Sequence, residues 1–312
     1  MKSTGCALHN PNTESYPSMN ATINEREFQY IREWLRNHIG QDLAEDKQYF
    51  VQVNLNDILV KYHLKSFAEL INRLEKLTAG SFNKSLLQII KTIDSSNSNF
   101  IQDVVDSLMV NETYFFRRPS TFADIQNVIL PRLMAARQSM RKLRICCMAC
   151  STGQEAYSLL MTMDQFFPDL LAGWDTILVA TDISQKSLQR AQAGIYSDWE
   201  TTRGLSNELR ERYFIKKNDQ WQISSKFSSK IIFRSANLFE TADSLPFGPF
   251  DLILLRNVMI YFDMNAKRMI LEKVRKVIAP DGMLVIGESE TLIGLEQQFN
   301  ISPEIPAVCL PK

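Results

Sequence analysis

The chain has 312 residues, 45% hydrophobic and 22% charged, and its 35 Lys plus Arg balance its 35 Asp plus Glu. That composition excludes a disordered chain, a collagen-like repeat and a small disulfide scaffold, and gives no support to a globally basic nucleic-acid binder. No apolar run approaches the ~20 residues a membrane span needs, and the first twenty residues lack the apolar core of a secretory leader. A cytoplasmic protein of roughly two domains, at ~150 residues each, is expected, without nucleic-acid partner or membrane insertion.

In chain order, residues 1–21 are rich in Ser, Asn, Thr and Pro and are expected to form a disordered tail. Residues 22–115 read as a small all-helical domain. Asn24-Glu-Arg-Glu27 has the form of a capping box, and Phe28, Ile31, Leu35 and Ile39 follow as one helical stripe. Ser66-Phe-Ala-Glu69 is a second capping candidate ahead of Leu70, Leu74 and Leu77. Further helices are expected over roughly Phe82–Ile93 and Phe100–Val110. From Lys61 to Lys91 the bases Lys61, Lys65, Arg73, Lys76, Lys84 and Lys91 face only Glu69 and Glu75. Such a stretch is either a solvated face or a surface that steers acidic partners.

The remainder, residues 116–312, changes texture. Pro119 suits the first turn of a helix running to about Met140. Strands are expected at Leu143–Met148, Thr176–Ala180, Ile231–Arg234, Phe250–Leu255 and Met283–Ile286, with helices at about Gly153–Phe167, Ser184–Ala193, Ser206–Phe214 and Asn265–Ile278. The alternation predicts an α/β fold with a mostly parallel, doubly wound sheet. Asp281-Gly282 reads as a tight turn before the Met283 strand, and Phe299–Leu310 as an antiparallel closing pair. The polar stretch of about 215–233, carrying Trp221, Ile223 and Phe227, reads as a small β excursion on the sheet edge: a solvated loop or a docking element.

Five cysteines cannot all pair, and Cys147-Met-Ala-Cys150 is a lone CxxC. A structural zinc site needs about four ligands, and the histidines are His9, His38 and His63. Cys146, Cys147 and Cys150 therefore read as small residues of a buried strand, with no metal. With no His after His63, triad-type hydrolysis is not expected in the second domain.

Ligands of open α/β sheets bind beyond the carboxyl ends of the strands. Ala149-Cys-Ser-Thr-Gly-Gln-Glu155 follows the first strand and has a single glycine, unlike a pyrophosphate-binding turn. Thr181-Asp182 follows the second, placing an acid for ribose hydroxyls. Asn237-Leu238 follows the third, and Arg256-Asn257-Val-Met-Ile-Tyr261-Phe-Asp263 the fourth. A nucleoside ligand without phosphates points to S-adenosyl-L-methionine.

With Asn111-Glu-Thr-Tyr-Phe-Phe-Arg117, Cys150-Ser-Thr-Gly-Gln-Glu155-Ala-Tyr-Ser158, Ala180-Thr-Asp182-Ile, Arg256-Asn-Val-Met-Ile-Tyr-Phe-Asp263 and Gly287-Glu-Ser-Glu290 in place, the chain resembles the CheR family of chemoreceptor glutamate methyltransferases over about residues 22–310. The resemblance implies an S-adenosylmethionine-dependent methyltransferase (Rossmann-like) sheet. It implies methyl transfer to glutamate side chains of methyl-accepting chemoreceptor cytoplasmic helices, with S-adenosyl-L-homocysteine as product. It implies that Asn111, Thr113 and Arg117 meet the methionine end of the cofactor. Glu155 would contact the cofactor, Asp182 would hold the ribose, and Asn237, Leu238, Arg256 and Asn257 would form the adenine side and pocket wall. Arg117 and Tyr261 would act at the transferred methyl. Gln154 and Ala156 depart from the family's usual Glu and Pro, and the 215–233 excursion is shorter than in forms that bind a receptor tail. The alternatives are a methyltransferase acting on an amine or small molecule, although Asn257-Val-Met-Ile lacks the prolines an amine enzyme would favour, and a non-catalytic cofactor- or receptor-binding module.

Overall fold

The computed structural model describes residues 21–79, 86–240, 245 and 247–312; the expected N-terminal tail lies outside them except for Ala21, which exchanges hydrogen bonds with the Asn56 side chain. The first helix, α1 (Glu25–Ile39), starts on the capping box read from the sequence: Asn24 Oδ1 accepts from Glu27 N at 3.0 Å, and Glu27 Oε2 accepts from Asn24 N at 2.9 Å. It buries Phe28, Ile31, Trp34, Leu35 and Ile39 and stops at Gly40, whose φ of 80° belongs to the left-handed region. The next helix, α2 (Gln48–Lys61), was not expected. It buries Val51, Leu55, Ile58 and Leu59 but leaves Tyr49 and Val53 exposed, so its apolar residues form no single stripe.

In α3 (Phe67–Thr78) only half of the expected box forms. Ser66 Oγ accepts from Glu69 N, while the Glu69 carboxylate turns to Lys65 N instead. After α4 (Leu86–Thr92), whose expected beginning lies outside the described residues, α5 (Ser95–Leu108) begins five residues before Phe100. Asp94 causes this by accepting from Asn97 N at 3.0 Å. The helices enclose a core around Ile31, Leu35, Leu55, Leu59, Leu70, Phe100 and Val104.

The helix expected from Pro119 to Met140 is broken. Between α6 (Pro119–Asp124) and α7 (Leu130–Arg137), residues Ile125–Ile129 form a π turn. Pro131 lacks the N–H that a regular turn would use, and the wider turn adjusts the ladder just before it. The chain then alternates: β1 (Lys142–Met148), α8 (Gln154–Phe166), α9 (Pro168–Ala172), β2 (Asp175–Asp182), α10 (Gln185–Ala193), β3 (Ile195–Ser197), α11 (Asp198–Thr202), α12 (Asn207–Tyr213), β4 (Phe214–Lys217), β5 (Gln220–Ile223), α13 (Ser225–Ser228), β6 (Ile231–Ser235), β7 (Phe250–Leu255), α14 (Met264–Val277), β8 (Ile278–Ile286), β9 (Phe299–Ile301) and β10 (Val308–Pro311).

Seven strands form one sheet in the order β6-β2-β1-β7-β8-β10-β9, parallel from β6 to β8 and antiparallel on both sides of β10. Crossovers run outward in both directions from β1 and β7, so a crevice opens at their carboxyl ends. Cys146 and Cys147 are fully buried in β1, as expected of small strand residues.

Two expectations are corrected. Asp281-Gly282 is no turn before a separate strand, because β8 runs through it. Its register on β7 jumps from Phe250↔Ile278 to Leu252↔Met283, so residues 279–282 form a bulge. The excursion is no extension of the main sheet. It is a separate antiparallel sheet in the order β3-β5-β4, and its strand Ile195–Ser197 was not read. Trp221, Ile223 and Phe227 are buried under it rather than displayed for docking.

The β8 bulge has a structural use. Asp281 chelates Arg137 Nη1 and Nη2 at 2.7 and 2.5 Å, while Arg137 Nε bonds to buried Asp251 at 2.7 Å. Asp251 also accepts from Arg144 N at 2.7 Å, so one carboxylate ties α7 to β1 and β7. Arg137→Ala strands that buried charge. The unfolding free energy should fall by about 3–5 kcal/mol, read as a lower urea midpoint, with Arg137→Lys recovering part of the loss.

Candidate active site

The crevice is a cleft with about 1030 Å³ of free space up to its open mouth. Asn111, Thr113, Arg117, Glu155, Asp182, Asn237, Leu238, Arg256, Asn257 and Tyr261 all line it. These are the ten site residues named from the sequence, brought together from five separate segments.

Unusual backbone shapes the cleft. Ala149 and Ser151, after β1, have φ of 54° and 50°; Phe116 and Arg118 have 51° and 63°; and Asn257, after β7, has 57°. Non-glycine residues rarely occupy this region and are held there only by surrounding structure. The supports are visible. Cys150 N donates to Thr181 O at 2.8 Å and Ser151 N to Asp182 Oδ2 at 2.8 Å. Ser151 Oγ donates to Asn111 O at 3.1 Å, and Phe116 N donates to Ser158 Oγ at 2.9 Å. Phe115 is fully buried, edge-on to Tyr196 and Phe214.

Asp182, at the end of β2, also accepts from Ser184 N at 2.9 Å. Burial pushes its carboxyl above the usual 3.8, and the amide bonds at Ser184 and Ser151 work against that rise. Glu155, in the first turn of α8, is likewise raised above 4.5 by burial, opposed chiefly by the Arg256 guanidinium. Arg256 Nη1 donates to Glu155 Oε2 at 2.8 Å and Nη2 to Arg117 O at 2.7 Å, while buried Nε has no partner among the described residues. Arg256 therefore stands beneath Glu155 and the Arg117 backbone, on the side of the first strand-end loop. Asn237 stands across the cleft, its Nδ2 donating to His38 O at 3.1 Å and its Oδ1 accepting from Phe239 N at 3.1 Å.

Tyr261 ends a short 3₁₀ turn, Met259–Tyr261, and burial raises its phenol above 10.0. The turn is gathered by Glu290, whose carboxylate accepts from Asn257 N, Val258 N, Met259 N and Gly287 N at 2.6–2.9 Å. The Gly287-Glu-Ser-Glu290 motif was visible in the sequence, but its role was not. Nor did the sequence show that the helical domain closes the cleft. Ile39, Gln41 and Met109 line it, Asp42 N donates to Tyr261 O at 2.8 Å, and Gln41 bridges Phe262. Gly40 allows this approach: a Cβ there would lie 1.7 Å from the Phe239 ring.

Residues 111–307 match the CheR methyltransferase, SAM binding domain, and residues 26–83 match the CheR methyltransferase, all-alpha domain. The chain belongs to the CheR methyltransferase family. It is 34% identical to chemotaxis protein methyltransferase 1 of Pseudomonas aeruginosa and 32% identical to chemotaxis protein methyltransferase Cher2 of Pseudomonas putida, in each case over 90% of this chain and 96% of the relative. It is also 31% identical to the probable biofilm formation methyltransferase WspC of Pseudomonas aeruginosa, over 65% of this chain and 46% of that protein. This CheR methyltransferase uses S-adenosyl-L-methionine as cofactor.

The residues present fit that group. Asp182 has a carboxylate at a strand end, of the kind two hydroxyls can donate to, Glu155 has a carboxylate of the kind a cationic amino group can pair with, and buried Arg256 Nε is a donor with no partner among the described residues. In the free protein, ionised Asp182 and Glu155 are disfavoured by burial. Their raised pKa values mean that their contribution to stability is present at low pH and lost as pH rises through those values. A cationic ligand reverses that sign locally by favouring ionised Glu155. S-Adenosylhomocysteine should therefore raise Tm more at pH 7.5 than at pH 5, as differential scanning calorimetry would show, and Glu155→Gln should flatten the dependence. Glu290→Gln places an NH₂ against two of the four amides, so its calorimetric affinity for S-adenosylhomocysteine should fall about tenfold or more, with Glu290→Asp intermediate.

Proposed function

We propose that this methyltransferase forms methyl esters on glutamate side chains of methyl-accepting chemoreceptor cytoplasmic helices. In this division of labour residues 22–115 recognise the receptor and residues 116–312 hold the chemistry. One observation carries the reading: no described residue lining the cleft can serve as a ready base. The lining holds no His and no Lys; Glu155 is paired with Arg256 and Glu112 with Arg203; both Asp182 oxygens accept from main-chain amides; burial raises the Cys150 thiol and the Tyr261 phenol. The nucleophile must then arrive deprotonated. A glutamate carboxylate, with a pKa near ~4.3, does so at neutral pH, whereas a lysine amine, near ~10.4, does not.

The cofactor supplies an electrophilic methyl on a sulfonium. The protein's part is alignment, an effect that reaches about 7–11 kcal/mol in favourable cases. Arg117 is suited to hold the incoming carboxylate. Its Nη1 is fixed on Glu112 O at 2.9 Å, its main-chain carbonyl on Arg256, and its side chain borders the cleft mouth beside Tyr261. Carboxylate binding there is charge-assisted and leaves the nucleophile ionised. Among the described residues no helix is long and apolar enough to cross a membrane, and the protein meets its substrate on the cytoplasmic part of the receptor.

The basic stretch of the helical domain is narrower than the sequence implied. Lys61 pairs with Asp103 at 2.6 Å; Arg73 bonds Asn97 at 2.9 Å and stacks over Phe100 at 4.2 Å; Lys84 lies outside the described residues. Lys65, Lys76 and Lys91 remain exposed. Reversing these three to Glu should slow receptor methylation severalfold at low salt and much less at high salt, since exposed charges are screened beyond about 8–10 Å; cofactor affinity should not change.

The product provides the decisive assay. A receptor fragment labelled from methyl-tritiated cofactor should release volatile methanol in mild alkali. Label that stays on the protein would overturn the ester reading in favour of an amine acceptor. Arg117→Ala should lower kcat by about two orders of magnitude or more, and cofactor affinity by less.

A further inference from the structure

At the cleft mouth, one charged residue is not accounted for by holding the cofactor or the methylated carboxylate. Arg203 follows α11, and its Nη2 bonds Glu112 Oε1 at 3.0 Å, with side chains 37% and 63% exposed. Its guanidinium lies 4.2 Å from the Tyr114 ring and 5.6 Å from that of Trp199, which is 67% exposed. Arg117 borders the same Tyr114 ring from 5.7 Å. The order along the surface is thus Trp199, Arg203, Tyr114, Arg117, ending in the cleft.

The ridge is fixed in place. Gly204, with φ of 94°, packs so closely on the Asn111–Arg117 loop that a Cβ would lie 1.8 Å from Phe115 O. The residue beside Arg203 and the loop that carries Arg117 therefore form one rigid piece. Glu112 sets the spacing: its main-chain carbonyl holds Arg117 and its carboxylate holds Arg203. Both guanidiniums are thus held by one residue, and both lie beside the Tyr114 ring. One turn of an α-helix rises about 5.4 Å, and side chains three or four residues apart stand on one face.

We infer that Arg203, backed by Trp199 and Tyr114, is a specificity-determining residue that takes a second acidic side chain of the substrate helix, one turn from the glutamate held at Arg117. This rests on the glutamate-ester reading above. In the free protein Glu112 occupies Arg203 as a stand-in carboxylate. The substrate's acid displaces it, and the two rings beside the guanidinium keep it in place for a paired approach. A helix lacking that acid leaves the Glu112 pair intact and binds less tightly.

The test uses the full chain and a receptor cytoplasmic fragment that the wild-type protein methylates. The acids three and four residues on either side of the methylated glutamate are changed, one at a time, to Gln. One of these changes should raise KM for the wild-type enzyme by roughly five- to tenfold with little change in kcat. Arg203→Ala should raise KM for the parent fragment by a similar factor and should be insensitive to that same change, so that the two losses do not add. Arg203→Lys should recover part of the affinity, and Glu112→Gln, which releases Arg203, should lower KM. S-Adenosylhomocysteine affinity of Arg203→Ala, measured by calorimetry, checks that the cleft is intact. Additive losses, or an Arg203→Ala defect equal on all fragments, would overturn the inference and leave Arg203 a structural partner of Glu112. Failure of the wild-type protein to esterify any receptor fragment would instead overturn the reading on which it rests.

Discussion

The cleft depends on one buried cation. Arg256 stands at the carboxyl end of a central strand, its side chain 1% exposed. A guanidinium in that position is tolerable only if paired and hydrogen-bonded. The pairing reaches in two directions. Through Glu155 it fixes the first turn of α8, and through the Arg117 carbonyl it fixes the loop arriving from the helical domain. Three segments more than a hundred residues apart in part are thus set relative to one another by the need to neutralise one charge. The strained backbone at Phe116 and Arg118 lies in the loop so held, and that at Asn257 follows Arg256 directly. Removing either partner would leave the other charged in a site of low polarity, so the pair works as a unit.

Around this centre the carboxylates divide into two kinds. Asp251 and Glu290 are structural: each gathers main-chain N–H groups or an arginine and has little freedom left. Asp182 and Glu155 are held from one side and border the cleft on the other. Carboxylates of the second kind have raised pKa values because their solvation has been removed without being fully replaced. The same incompleteness gives a cationic, hydroxyl-bearing ligand something to complete.

The sequence disclosed the site more fully than the architecture around it. Asp182, Asn237 and Arg256 were legible because each lies at or just past the end of an apolar strand, and the strand-end rule for open sheets needs only the order of elements. Capping at Asn24 was legible because its partner is three residues away. What escaped reading depends on distance. Gly40 directly follows the Phe28–Ile39 stripe, but only the folded chain shows that the helix stop there meets Phe239. Glu290 lies more than thirty residues from three of the four amides it gathers. The helix Gln48–Lys61 lacks a single apolar stripe, and the strand Ile195–Ser197 is too short to show alternation. Trp221 looked like a displayed aromatic because its stretch is polar, whereas a three-stranded sheet of its own buries it.

The seam between the two halves has a consequence for turnover of the protein itself. His38, Gln41 and Asp42 of the helical part reach across to Asn237, Phe262 and Tyr261, and the cleft has walls from both sides. A ligand seated there binds the docked arrangement better than an undocked one, and mass action converts that preference into added resistance to opening. Opened forms are the ones that proteases cut, in proportion to their population when reclosing is fast. The supply of methyl donor therefore bears on how long a copy of the enzyme survives, as well as on how fast it works.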